Sequence, residues 1–174
     1  VNQVFSNTIW SQRDNFVDVP TDCPQRNERM GWTGDAQNFV GTALFNMNSY
    51  AFYRKYLHDM YQYQMSENGS FVPNVIPSLQ NRSEVKGGKV GWADAATIMP
   101  WKIYLFTGKK QILEEQIDSM QMWVDWITNH TNIEQRLDQE DNNSYLWITD
   151  GNQFGDWLAL DGPKSRIINY KAAM

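Results

Sequence analysis

From Ala36 onward, apolar residues fall at Phe39, Val40, Ala43, Leu44 and Met47, the i, i+3, i+4 spacing of a helix with one buried face. Asn48-Ser49 interrupts this run with good capping chemistry, and a second run follows through Phe52, Tyr53, Tyr56, Leu57 and Met60. So short a break predicts an antiparallel helical hairpin. A third helix is expected between Asp94 and Phe106, with Pro100 kinking or beginning it and Gly108 as its C-terminal cap. The clearest stripe is Ile112, Leu113, Gln116, Ile117, Met120, Trp123, Val124 and Ile127, one helical face over about four turns. Another helix is expected near Ile167, and Tyr170 to Met174 reads as a helix start.

Between these helices lie long polar connections. Gly69 to Gly91 contains Pro73, Pro77 and the Gly87-Gly88 pair, and loops of such length commonly bind something or are disordered. Tyr145 to Ile148 reads as a short strand or an extended loop, and Asp150 to Gly162 as an aromatic, Gly- and Asp-rich loop. No strand–helix alternation points to a Rossmann sheet, and no period-2 run is long enough for a sandwich. The expected fold is all-α: helical hairpins with long loops, as in part of a toroid of paired helices, with an irregular bundle as the plainer alternative.

A chain of 174 residues is long enough for one domain with a substantial core, and 41% of it is hydrophobic. Eight Trp, eight Tyr and eight Phe supply both core filling and flat platforms for sugar rings. The net charge of −5, with no basic stripe, argues against a nucleic-acid partner. No apolar run approaches the ~20 residues that cross a bilayer, and Val1 to Trp10 lacks the pattern of a signal peptide. Both ends read as cut from a longer protein, so residues 1–174 are expected to form a partial domain. Localisation is open, with a periplasmic or secreted parent in view.

The stretch from Asn15 to Asp35 concentrates chemistry. It sets Asp18, Asp22, Glu28 and Asp35 beside Arg26, Arg29 and Trp32, with Pro20, Pro24, Gly31 and Gly34 stiffening or bending the backbone just before a helix. Glycoside hydrolysis needs one carboxylic acid to protonate the leaving oxygen and a second carboxylate to activate water. A carboxyl against aromatic surface has its pKa raised and keeps its proton, and Glu28, four residues before Trp32, meets that description. The plainer account has these acids in surface ion pairs with Arg26 and Arg29, capping the following helix.

The run Asp22-Cys-Pro-Gln-Arg-Asn-Glu-Arg-Met-Gly-Trp-Thr-Gly-Asp-Ala36 closely resembles the signature of α-L-rhamnosidases of glycoside hydrolase family 78. The resemblance continues through Gly91-Trp-Ala-Asp-Ala95, Pro100-Trp101, the helix near Leu113 to Trp126, and Phe154-Gly-Asp-Trp-Leu158. It implies an (α/α)6 toroid, of which this chain would hold about half, and an inverting mechanism. It implies Glu28 as general acid; Asp22, Arg26, Trp32 and Asp35 lining the rhamnose pocket; Trp92 and Asp94 near the sugar; and Asp156 and Trp157 as further contributors. Asn27 and Met30 depart from the usual Asp and Leu. The family's general base lies far downstream, and no residue here corresponds to it, so the chain alone is expected to have little or no activity. The implied partner is a rhamnoside from plant material, with no cofactor and no metal. A non-catalytic carbohydrate-binding or scaffolding module is the alternative.

Other candidates carry less. Cys23 has no nearby His to activate it, and His58 and His130 lack the partners of a zinc site. Asp138 to Asn143 has oxygen ligands for calcium but lacks the EF-hand spacing, so a solvated loop is expected. An open toroid would expose apolar helix faces, so self-association is expected as well.

Overall fold

The computed structural model describes residues 1–66, 71–78, 87–130, 146–148, 153–155 and 171–173, the two segments 146–148 and 171–173 as backbone only. Its elements run α1 (Asn2–Asn15), β1 (Phe16–Val17), β2 (Val19–Pro20), α2 (Thr33–Asn46), α3 (Tyr50–Met65), α4 (Ala95–Thr107), α5 (Gln111–His130), β3 (Leu146–Ile148) and β4 (Lys171–Ala173). Five helices carry the architecture. The strands make only two antiparallel ribbons, β1 with β2 and β3 with β4, so the fold is all-α as expected. No described helix is long and apolar enough to cross a membrane.

Helices α2 to α5 match the amphipathic runs. Their inward residues, among them Val40, Ala43, Tyr53, Tyr56, Leu57, Met60, Met99, Ile103, Ile112 and Trp123, merge into one core. Gly108 ends α4 in the left-handed conformation, φ 68°, which glycine adopts without steric cost. Pro100 neither begins nor ends α4, which runs on through it.

The pairing of helices differs from the expected simple hairpin. The most extensive backbone approach of α2 is to α4, while α3 lies closest to α5 and α4. Side-chain size accounts for this. A Cβ at Gly41 of α2 would lie 3.3 Å from the Phe106 ring of α4, so a missing side chain brings those two helices together. Helix α3 instead buries Tyr53, Tyr56, Leu57 and Met60, whose bulk fills the space beneath it. Ser49 also departs from expectation. It makes no side-chain cap to α3, and its hydroxyl lies 3.3 Å from the carbonyls of Ala43 and Met47 at the end of α2.

Helix α1 has no counterpart in the periodicity, because it is not held by an apolar stripe. Val4, Phe5 and Trp10 are exposed, and the buried contact is polar. Gln12 donates to the Ala43 carbonyl at 3.2 Å and accepts from Asn46 Nδ2 at 2.9 Å, which ties α1 to the C-terminal turn of α2. At the other end of the chain, Lys171–Ala173 is a strand paired with Leu146–Ile148, not the helix start expected from Tyr170 to Met174. Ladder pairing to a distant segment has overridden local propensity there. The helix expected near Ile167, the Asp150 to Gly162 loop except 153–155, and the acidic segment 138–143 lie outside the described residues.

Candidate active site

The connection from α1 to α2 forms a closed loop at the N-terminal end of α2. Residues 16–20 make a hairpin whose tip, Asp18, has φ 66° and pairs with Lys55 at 3.0 Å. Phe16 anchors it, stacked on Phe52 with centroids 4.2 Å apart. The chain then leaves and returns. Asp22 N–H donates to the Met30 carbonyl, and Met30 N–H donates to Asp22 Oδ1, both at 3.0 Å. Arg29 takes φ 54° at the return, and its Nε donates to the Pro24 carbonyl at 3.0 Å. Gly31 follows because nothing larger fits: a Cβ there would stand 2.2 Å from the Ile76 carbonyl oxygen. The Gly31 carbonyl is held by Ile76 N–H at 2.9 Å and the Tyr56 hydroxyl at 2.8 Å, fixing the loop to the core.

This closure brings Asp22, Arg26, Glu28 and Trp32 together. Glu28 Oε1 accepts from the Trp32 indole N–H at 3.0 Å, and Oε2 accepts from Arg26 Nη2 at 2.6 Å. Side-chain oxygens of Asp22 and Glu28 and the Cys23 sulfur all lie within 4.8 Å of one another. The Glu28 side chain is 26% exposed, while Arg26 is 64% exposed, so the guanidinium reaches in from solvent. Removal from water and the Asp22 carboxyl raise the Glu28 carboxyl above its ordinary range, against Arg26 and the indole, which favour the charged form.

Asp22 also lines a cleft of about 700 Å³ between α1, the loop and α2. Asp35 and Asn38 of α2, Trp92, and Asn15 of α1 contribute to its wall. Asp35 opens into this cleft, and its carboxyl is raised by the surrounding protein and then by Asp22.

Trp92 reaches the cleft through a built turn. Gly91, at φ 79°, donates its N–H to Asp94 Oδ2 at 2.8 Å, and its carbonyl accepts from Gln37 Nε2. Val90 N–H donates to Gln153 Oε1 at 2.9 Å. Gly34 leaves room for the result, since a Cβ there would be 2.7 Å from Trp92 Nε1. Phe154 then joins the two indoles, meeting Trp32 edge-on at 6.2 Å and Trp92 at 4.7 Å.

Of the residues expected at the site, Asp22, Asp35 and Trp92 line the cleft, Glu28 stands beside Asp22, and Trp32 and Arg26 are bonded to Glu28. Asp94 is elsewhere. Its second oxygen accepts from the Trp123 indole at 3.2 Å, so both oxygens hold the Trp92 turn to α5. Asp156 and Trp157 lie outside the described residues. Gln37, Gln153 and Phe154 were not singled out as site residues; Phe154 sat inside a quoted motif, and the two glutamines carry no signal short of the fold. His58 is exposed on α3.

A carboxyl with raised proton affinity, close to Asp22 and bonded to the Trp32 indole, fits acid catalysis on a polyhydroxylated ligand. The sequence model of the bacterial alpha-L-rhamnosidase 6 hairpin glycosidase domain matches residues 1–171. The chain belongs to that family. An alpha-L-rhamnosidase of Formosa agariphila is 42% identical over 158 residues, covering 91% of this chain and 15% of the relative. One from Streptomyces avermitilis is 37% identical over 169 residues, covering 96% of this chain and 15% of the relative. Among solved structures, the S. avermitilis alpha-L-rhamnosidase complexed with L-rhamnose aligns with TM-score 0.74 at 32% identity, over 90% of this chain and 14% of that one. The native enzyme of Aspergillus terreus aligns with TM-score 0.73 at 35% identity, over 91% of this chain and 17% of that one. The helices described above are therefore part of a six-hairpin rhamnosidase toroid, and the chain spans about one-seventh of the curated relatives' length.

Proposed function

We propose that residues 1–174 are part of the catalytic domain of an inverting α-L-rhamnosidase of glycoside hydrolase family 78, which releases terminal α-L-rhamnose from plant polysaccharides or glycosides. Glu28 is the general acid. The observation that carries this is its half-buried carboxyl, bonded to the Trp32 indole with Asp22 close by, in an environment that raises its proton affinity. A neutral carboxyl so placed hands its proton to the departing glycosidic oxygen. Asp22 and Asp35 accept hydrogen bonds from sugar hydroxyls and favour positive charge developing at the ring. Trp32 and Trp92 form apolar walls, joined by Phe154, while Arg26 balances charge at the rim. Asp156 and Trp157 contribute from the third motif.

Inversion needs a second carboxylate about 6.5–9.5 Å from the acid, with a water between them. No carboxylate of this chain takes that part by motif, so the base comes from the C-terminal half of the toroid. The isolated chain accordingly turns over little or no substrate. The test is Glu28→Gln in the full-length protein, assayed on two rhamnosides. With a poor leaving group, kcat/KM falls by about 10²–10⁴-fold; with an activated aryl group, which departs without protonation, the fall is much smaller. Equal loss on both substrates would remove Glu28 from the acid role.

A further inference from the structure

The Asp22–Met30 loop closure does more than shape a pocket wall. Asp22 Oδ1 accepts from the Met30 amide at 3.0 Å, which fixes the orientation of a carboxyl that also engages the Glu28 side chain. That carboxyl stands within 4.8 Å of Glu28. Like charges at such distance in a half-buried loop are costly, and the pair lowers its energy by holding a proton. The other neighbours are Arg26 and the Trp32 indole, both favouring ionised Glu28, and Cys23; Asp35 faces Asp22 from α2. Burial is the first cause that opposes Glu28 ionisation and Asp22 the second; without Asp22, burial alone would stand against Arg26 and the indole.

We infer that Asp22 is the positioning residue that keeps the proton on Glu28, the two carboxyls acting as a coupled pair clamped by the Met30 amide. Sugar contact and proton retention thus meet in one side chain. A ligand hydroxyl that bonds Asp22 partly screens its charge, and so releases the Glu28 proton more readily when the site is filled. The idea deepens the rhamnosidase reading and rests on it for its catalytic meaning, but the pairing itself is testable without turnover.

The experiment is carbon-detected NMR of the Glu28 carboxyl against pH in the 174-residue chain, with the Trp32 indole N–H as second reporter because it donates to that carboxyl. In the unmodified chain, the Glu28 curve is expected to be biphasic or broadened beyond a single ionisation, with the indole proton tracking it. In Asp22→Asn, whose amide oxygen still accepts from Met30, the Glu28 midpoint drops by about one pH unit or more. Trp32→Phe, which removes a donor that favours the charged form, moves the midpoint upward instead. A Glu28 midpoint unchanged or raised in Asp22→Asn, with the Met30 amide shift retained, overturns the proposal. Should Asp22→Asn disturb the loop, a single-ionisation curve in the unmodified chain overturns it equally. None of these readings uses a rhamnoside, so their failure is separate from failure of the Glu28→Gln assay.

Discussion

Glu28 sits where the folded chain favours its neutral form, and that preference has a thermodynamic sign. Because folding raises its pKa, the folded chain binds more proton than the unfolded chain between the ordinary glutamate value and the folded one. The group's contribution is thus fully present below the ordinary value and lost as pH rises through the folded one. Glu28→Gln carries no charge to lose. Its cost is the ion pair with Arg26, which is small because the guanidinium is 64% exposed. The expected outcome is that Glu28→Gln melts above the parent chain at pH 7 and that the gap closes as pH falls toward 4. Calorimetry at several pH values checks this, and a gap that widens on acidification would contradict the raised pKa. That Glu28 would stand against Trp32 was legible in the sequence, since a spacing of four in a stiff loop brings the two side chains into reach. The role of Asp94 was not. The motif that holds it implied a place near the sugar; its two oxygens accept from Gly91 and Trp123, and only the packing of α5 reveals those bonds.

At the scale of elements, the amphipathic runs of α2 to α5 were readable because each buries an apolar face, whereas α1 was invisible because Gln12, not an apolar stripe, docks it. The pairing of α2 with α4 escaped for a related reason: it depends on what Gly41 lacks, and absence of a side chain leaves no periodic mark. Gly34 shows the same logic within the site. In the first turn of α2 an alanine would favour the helix by at most about 1 kcal/mol, yet its Cβ would fall 2.7–2.8 Å from three atoms of the Trp92 indole. The ring must move, while the Gly91 turn that carries it is tied by Gln37, Asp94 and Gln153. Gly34→Ala is therefore expected to keep its helical circular dichroism and to change its unfolding free energy in urea by no more than about 1 kcal/mol. The Trp92 indole and Phe154 ring resonances, by contrast, shift clearly. Unmoved resonances would mean that Gly34 does not set the Trp92 position.

Over the whole molecule, several of the apolar residues that remain exposed gather on one face of α4. Ile98, Trp101 and Leu105 recur at i, i+3 and i+7 along α4 and are 37%, 50% and 61% exposed, with Phe106 beside them at 53% and Phe45 of α2 at 76%. A toroid buries helix faces against the next hairpin, and here this face of α4 meets water. Apolar patches beyond a few hundred Å² mark association surfaces. A stable pair needs about 1,200–2,000 Å² buried in total. The opposing force is the net charge of −5, carried at the surface and screened within about 8 Å at physiological salt. The chain should therefore self-associate through α4 at micromolar concentration, more strongly as salt is raised. Sedimentation velocity across a concentration series reads this directly. Leu105→Lys, at an exposed position that leaves the core residues Met99 and Ile103 untouched, should shift the chain toward monomer without loss of helical signal. A parent chain that sediments as monomer at every concentration and salt would show that the exposed face of α4 is tolerated by water, and that the apolar residues along it do not drive assembly.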